Sequence, residues 1–319
     1  MMRRIILDTD LAMGARGSDI DDGFALALAV ADPGLTVELV STVSGSTDVD
    51  VATRLTVELL QRLGRPDTPV ARGASASLVG RWTRAPHDRQ PYYPPGTDPS
   101  GREPGHAALR MVELVMADPG QVTVVAIGPL TNVATALALE PRVAESVEEI
   151  VVMGGVYLGQ TNVASTPGEF NFWADPEAAA VVLGSGAPLR LVGLDVTRMV
   201  RLTREFAVRL AQAGGDFAPF AAQCTQDWIS HWEATVPGDE RGSCALHDPL
   251  AVAVVSRPDL VQWRPASVSV ETASSLTRGV AVADLLTTDD APSPNCQIAV
   301  GVDVDAFTAL FSERIATLP

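Results

Sequence analysis

Carboxylates crowd the first strand–helix junction of this chain. Asp8 and Asp10 close a short apolar run, Arg3-Arg4-Ile5-Ile6-Leu7, that reads as a buried strand. Asp19, Asp21 and Asp22 open an alanine-rich helical stretch that runs through Phe24, Leu26 and Leu28. Gly14 and Gly17 let the intervening loop turn tightly. An acid at a helix N-terminus answers the helix dipole, which accounts for one or two of these residues and not for all of them. Such a cluster repels itself unless a cation neutralises it or some members hold protons. An all-oxygen donor set suits a hard cation, Ca2+ or Mg2+, so the spacing predicts a metal site here.

Three further groups carry chemistry-bearing residue types. Glu169-Phe170-Asn171 joins a carboxylate to an amide, but the tripeptide has no specificity of its own. His247-Asp248 opens an apolar stretch, where an aspartate often caps a helix beside a packed histidine. Trp228, His231 and Trp232 are spaced i, i+3, i+4, which sets two indoles and an imidazole on one helical face. That face is either core packing or a stacking wall for a flat ligand.

The elements that must hold these groups alternate between strand and helix, the pattern of a parallel sheet covered by helices. Val37 to Val43 reads as a second strand, and Asp48 caps a helix through Leu63 that Gly64-Arg65-Pro66 stops. Further strands are expected near Val70, over 122–127, over 150–153 and over 189–194, the last leading into Asp195. Several of them end in glycine, asparagine or aspartate, and open α/β sheets place their sites at the carboxyl ends of strands. Residues 73–105 and 157–174 read as irregular, the first as a lid or mouth loop. The tail, with strands near Val268, Val280 and Ile298, reads as a small antiparallel addition before a last helix over 306–315. No Gly/Ser-rich linker or internal repeat divides residues 1–319, so one domain is expected.

Bulk properties narrow the classes. The formal charge of −16 argues against nucleic acid or an anionic membrane as partner. No apolar run reaches membrane-span length. Met1-Met2-Arg3-Arg4 is followed by too short an apolar run for a signal peptide. Three cysteines, Cys224, Cys244 and Cys296, suggest a reducing compartment, and a cytoplasmic location is expected. All 23 basic residues are arginine, which excludes Schiff-base and P-loop lysine chemistry.

Taken together, the motifs resemble the inosine–uridine nucleoside hydrolase family. The resemblance rests on Asp8-Thr9-Asp10 with Asp21-Asp22 and Ala25-Leu26, and on Gly128-Pro129-Leu130-Thr131-Asn132 after a strand. It rests equally on Val152-Met153-Gly154-Gly155, on Glu169-Phe170-Asn171 before Asp175-Pro176-Glu177-Ala178-Ala179, and on His247-Asp248-Pro249-Leu250-Ala251-Val252-Ala253. It spans essentially the whole chain. It implies a Rossmann-like open, mostly parallel sheet flanked by helices, a tightly bound Ca2+, and hydrolysis of the N-glycosidic bond of ribonucleosides to ribose and free base. It also implies a role in nucleoside salvage and a homodimer or homotetramer.

By similarity, Asp10, Asp22 and Asp248 would hold calcium through side-chain oxygens, and Ile127 through its carbonyl. Asp10 would take the proton of the attacking water. Asp21, Glu169, Asn171 and Asp248 would hold the ribose hydroxyls, with Met153 and Asn162 alongside. His247 would stand at the leaving base, where the family often places its general acid. Apart from the resemblance, the aromatic face of Trp228, His231 and Trp232 is expected to wall the base pocket together with the 73–105 loop. Carboxylates around the sugar suit the oxocarbenium-like ribosyl cation of glycoside cleavage.

The stretch Leu11 to Ile20 departs from the family pattern by its length, adds Asp19, and is expected to bulge outward. Asn162 stands one residue further from Glu169 than the pattern gives. His87 lies where some members contact the base.

Other readings are weaker. Ile6-Leu7-Asp8-Thr9-Asp10 is similar to the nucleophile strand of haloacid-dehalogenase-type phosphatases, but that chemistry normally needs a lysine. An EF-hand loop counted from Asp8 puts Met13 where glycine belongs. Hydrolysis of another ribosyl compound, or nucleoside binding without turnover on the same scaffold, remain as alternatives.

Overall fold

Strand β1 (Arg3–Thr9) is the axis of the molecule. It is flanked by β2 (Leu35–Thr42) on one side and β5 (Val122–Ala126) on the other, both parallel to it. The computed structural model describes all residues except 1, 16, 81–101, 159–167, 236–240 and 286–290. The remaining strands are β3 (Val70–Arg72), β4 (Arg102–Glu103), β6 (Glu149–Met153), β7 (Leu189–Val192), β8 (Arg201–Thr203), β9 (Ser243–Ala245), β10 (Val261–Val270), β11 (Ala281–Asp284) and β12 (Cys296–Val302). The main sheet runs β11-β10-β12-β7-β6-β5-β1-β2-β3-β4. It is parallel from β12 to β4, and β10 is antiparallel to both its neighbours. The chain builds outward in one direction through β2 and β3 and in the other through β5, β6 and β7. Strand order therefore reverses at β1–β5, the switch point beyond whose carboxyl ends open sheets of this kind place their sites.

The two faces of β1 divide the core. Ile5 and Leu7 belong to one buried cluster and Ile6 to the other, as period-two alternation requires. The helix Asp21–Ala31 lies on the Ile5 and Leu7 side. Phe24 fixes it there, edge-on to Phe217 at 6.0 Å and to Phe311 at 5.5 Å between ring centroids. Each such aromatic pair contributes about 0.5–1.5 kcal/mol beyond area burial, so the amino end of this helix is held firmly over the end of β1. Asp48 caps the helix Val49–Arg62 by accepting the Asp50 and Val51 N–H groups, as the sequence predicts.

The small antiparallel part expected at the tail is present as β10 with β11 and β12, and it joins the main sheet because β12 pairs parallel to β7. Two expectations are corrected. The segment 157–174 is not wholly irregular, since Phe170–Ala174 is helical with Glu169 as its cap. The strand expected over 189–194 stops at Val192. A Cβ on Gly193 would lie 2.8 Å from the Gly155 carbonyl oxygen and 2.7 Å from the Tyr157 ring, and the chain turns there into a short helix, Leu194–Thr197. A separate antiparallel pair, β8 with β9, leads the chain toward His247. No helix among the described residues is long and apolar enough to cross a membrane.

Candidate active site

The carboxylates gather at this switch point. One oxygen from each of Asp21, Asp22 and Asp248 lies within 4.8 Å of the others, and all three residues are buried. They arrive from two helices: Asp21 and Asp22 open Asp21–Ala31, and Asp248 sits in the first turn of His247–Ser256. Burial, then neighbouring negative charge, pushes each of them well above the ordinary carboxylate range. The chief neighbour is Asp19 for Asp21, Asp10 for Asp22 and Asp21 for Asp248. Thr9, pointing to the helix side of β1, donates its hydroxyl to Asp22.

Asp10 stands just past β1 in a slot without slack. The Ser46 N–H donates to its Oδ2. A Cβ on Gly45 would lie 2.1 Å from that oxygen, and one on Gly128 would lie 2.8 Å from Oδ1. The two glycines thus admit the carboxylate and fix its direction.

Glu169 accepts three backbone N–H groups: Asn171 at 2.7 Å, Gly155 at 3.0 Å and Phe172 at 3.1 Å. Burial nevertheless raises it to about 7 against those bonds, with the charge of Asp10 adding to the rise. Asn171 donates its amide to the Ile127 carbonyl at 2.9 Å and the Met153 carbonyl at 3.2 Å, which ties the ends of β5 and β6 together. His247 Nδ1 lies 2.8 Å from the Thr197 hydroxyl. Burial, then the charges of Arg198 and Arg201, lowers this histidine to about 4, so the ring is neutral at pH 7.

Asp8 does not join the cluster. It shares the face of Ile6, opposite the helix that carries Asp21 and Asp22, and its Oδ1 accepts the Ser41 hydroxyl at 2.6 Å and the Asn132 amide at 2.8 Å. Burial raises it to about 7. The glycine-containing loop also behaves otherwise than expected: it packs inward, with Leu11, Ala12, Met13, Ala15 and Ile20 buried. Met13 fills the space beside Gly23, where a Cβ would meet its sulfur at 2.2 Å. That packing presents Asp19 to the cluster, where it adds to the upward push on Asp21.

Trp228 is buried in the core, stacked on His231 at 5.6 Å and tilted against Trp232 at 5.6 Å. The His231 ring lies over Gly17 in the same loop. Asn162 and His87 lie outside the described residues, as does most of the 73–105 loop. Sequence reasoning missed Thr197, the Ser46 N–H and the part of Asn132, which also takes the Ala74 N–H on Oδ1 at 2.9 Å. Asn132 belongs to the Gly128–Asn132 motif, so that motif was its signal.

Three comparisons bear on this arrangement. The model of the family described as inosine-uridine preferring nucleoside hydrolase matches residues 5–309. This chain belongs to that family. It is accordingly a hydrolase acting on N-glycosyl bonds. Among its relatives is the non-specific ribonucleoside hydrolase RihC of Escherichia coli O157:H7, 35% identical over 99% of both chains. Similar solved structures include a plant nucleoside hydrolase, the PpNRh1 enzyme, with a TM-score of 0.86 and 26% identity over 99% of each chain. A purine-preferring ribonucleoside hydrolase from Gardnerella vaginalis gives a TM-score of 0.86 and 29% identity over 98% of each.

The donor set fits a hard cation. Buried carboxylates from two helices converge within 4.8 Å, and burial together with mutual repulsion raises all of them, so a divalent ion would relieve both penalties.

Proposed function

We propose that this enzyme hydrolyses ribonucleosides to ribose and free base with calcium in the acidic cluster. The observation that carries the reading is the convergence of Asp21, Asp22 and Asp248 at the β1–β5 switch point, beside an Asp10 locked between two glycines. Asp10, Asp22, Asp248 and the Ile127 carbonyl would hold the ion, since many oxygens with several charges suit calcium better than magnesium. When bound, the ion orients a water and lowers its pKa.

The chain's own groups do the rest. Asp10 takes a proton from the attacking water as its oxygen bonds to the anomeric carbon. Asp21, Glu169 and Asn171, with Asp248, Met153 and Asn162, hold the ribose, and their negative charge stabilises the sugar as it becomes cationic. His247, neutral at pH 7, meets the departing base. Trp228, His231 and Trp232 flank the base side through the inward-packed loop. One domain, residues 1–319, carries the reaction in a reducing, cytoplasmic setting, which suits three free cysteines.

The test is Asp10→Asn. The variant keeps the shape and the Ser46 N–H contact but has no base, so turnover of any ribonucleoside should fall by about a thousandfold or more with the melting temperature preserved. Near-normal turnover would remove Asp10 as the base.

A further inference from the structure

The short helix Leu194–Thr197 is tied to the site at both ends. Its Leu194 N–H donates to the Gly155 carbonyl at 2.9 Å, and the Gly155 N–H donates to Glu169 Oε2 at 3.0 Å. The Asp195 carboxylate gathers the Tyr157 N–H at 2.7 Å and the Leu158 N–H at 2.8 Å. Gly193, just before the helix, packs against the Tyr157 ring with no room for a Cβ. At the other end Thr197 reaches His247 Nδ1, and the Leu246 N–H donates to the Val200 carbonyl at 2.9 Å. The element that steadies the chain just past β6, where Gly155 meets Glu169, therefore also grips the histidine.

We propose that Thr197 is a positioning residue for the leaving-base side: its hydroxyl donates to His247 Nδ1, so the imidazole carries its proton on Nε2 and offers that N–H to the base. The proposal rests on the hydrolase reading above.

The direction of the bond follows from burial. Thr197 is wholly buried. Its i−4 carbonyl, Gly193, already accepts the Thr197 and Val196 N–H groups. If the hydroxyl accepted from Nδ1–H, its own hydrogen would be left without the partner the structure gives it, at a cost of about 1–3 kcal/mol. If it donates, only spare lone pairs are left unused. A ring that accepts at Nδ1 carries its hydrogen on Nε2. In the reaction, the bond from the anomeric carbon to the base breaks with its electron pair going to the base nitrogen. The water oxygen bonds to that carbon and Asp10 takes the water's proton. Nε2–H hydrogen-bonds to an acceptor on the base, a ring nitrogen or carbonyl oxygen, and keeps its proton. The base is then protonated from solvent.

The experiment compares wild type, Thr197→Val and Thr197→Ser on a ribonucleoside and on 4-nitrophenyl riboside, whose leaving group departs as a stable anion without a donor. For Thr197→Val, kcat on the nucleoside relative to the nitrophenyl riboside should fall by about tenfold or more, with little change in KM, and serine should restore the ratio. An equal loss on both substrates, no loss, or no rescue by serine overturns the proposal. Nitrogen NMR of the substrate-free protein gives a readout independent of activity, since the chain has only four histidines to assign. His247 should be protonated on Nε2 in wild type and become a mixture of tautomers in Thr197→Val; an Nδ1 proton in wild type overturns the proposal. If wild type cleaves neither substrate, the hydrolase reading fails and the leaving-group role with it. Activity in wild type that Thr197→Val leaves unchanged removes Thr197 alone.

Discussion

Replacing Gly45 by alanine tests whether the placement of Asp10, rather than its mere presence, sets the rate. The added Cβ would lie 2.1 Å from Asp10 Oδ2, whereas nonbonded heavy atoms settle near 3.5 Å, so the carboxylate must retreat by more than about 1 Å. It has little room to do so, since Gly128 closes the opposite side at Oδ1. Gly45 does not adopt a positive φ, so its backbone conformation suits alanine, and the three atoms nearest the added Cβ all belong to the Asp10 side chain, from Oδ2 back to Cβ at 2.7 Å. A misplacement of about 1 Å in a reacting group costs on the order of a hundredfold in rate, equivalent to about 2.7 kcal/mol of barrier. The assay is steady-state ribose release by Gly45→Ala, with thermal melting as the control for folding. The account expects kcat to fall by roughly two orders of magnitude while the protein melts within a few degrees of wild type. A folded variant within twofold of wild-type kcat would refute the argument that the glycine slot directs Asp10.

Two further outcomes follow from the same geometry. Burial raises Asp8 and Glu169 to about 7, and the Asp21, Asp22 and Asp248 cluster is raised as well. The folded state thus keeps protons that the unfolded chain gives up above pH about 4. The chelator-treated protein should lose stability as pH rises from about 4.5 to 7, and calcium should flatten that slope; a chelated protein whose melting temperature climbs through that window contradicts it. Trp232→Ala, which spares the buried Trp228, should raise KM for nucleosides by about two- to tenfold, the worth of one aromatic stack. Unchanged KM for both purine and pyrimidine nucleosides would assign the aromatic face to core packing.

Much of this was legible in the chain because local and global signals agree. Strand–helix alternation, the Asp48 cap and the acids at strand ends each follow from short-range chemistry. What escaped depends on contacts between distant residues. Asp8 and Asp10 look equivalent in sequence, yet Asp8 lies within β1 on the face of Asn132, opposite Asp22, while Asp10 lies past the last residue of the strand, Thr9. Which face would receive the acidic helix depends on where Phe217 and Phe311 pack against Phe24. The glycines between Asp10 and Asp21 suggested an outward bulge, but Met13 filling the space at Gly23 draws the loop inward and brings Asp19 to Asp21. Thr197 and His247 stand fifty residues apart, and nothing local to either announces the other.

The most direct test of the central claim is ribose release from a panel of purine and pyrimidine ribonucleosides, measured before and after chelation and again after calcium is restored. The account predicts release that chelation abolishes and calcium returns. Release that survives complete removal of divalent ions would contradict the role given to the Asp10, Asp22 and Asp248 cluster, and no release from any ribonucleoside by folded, calcium-loaded protein would contradict the substrate class.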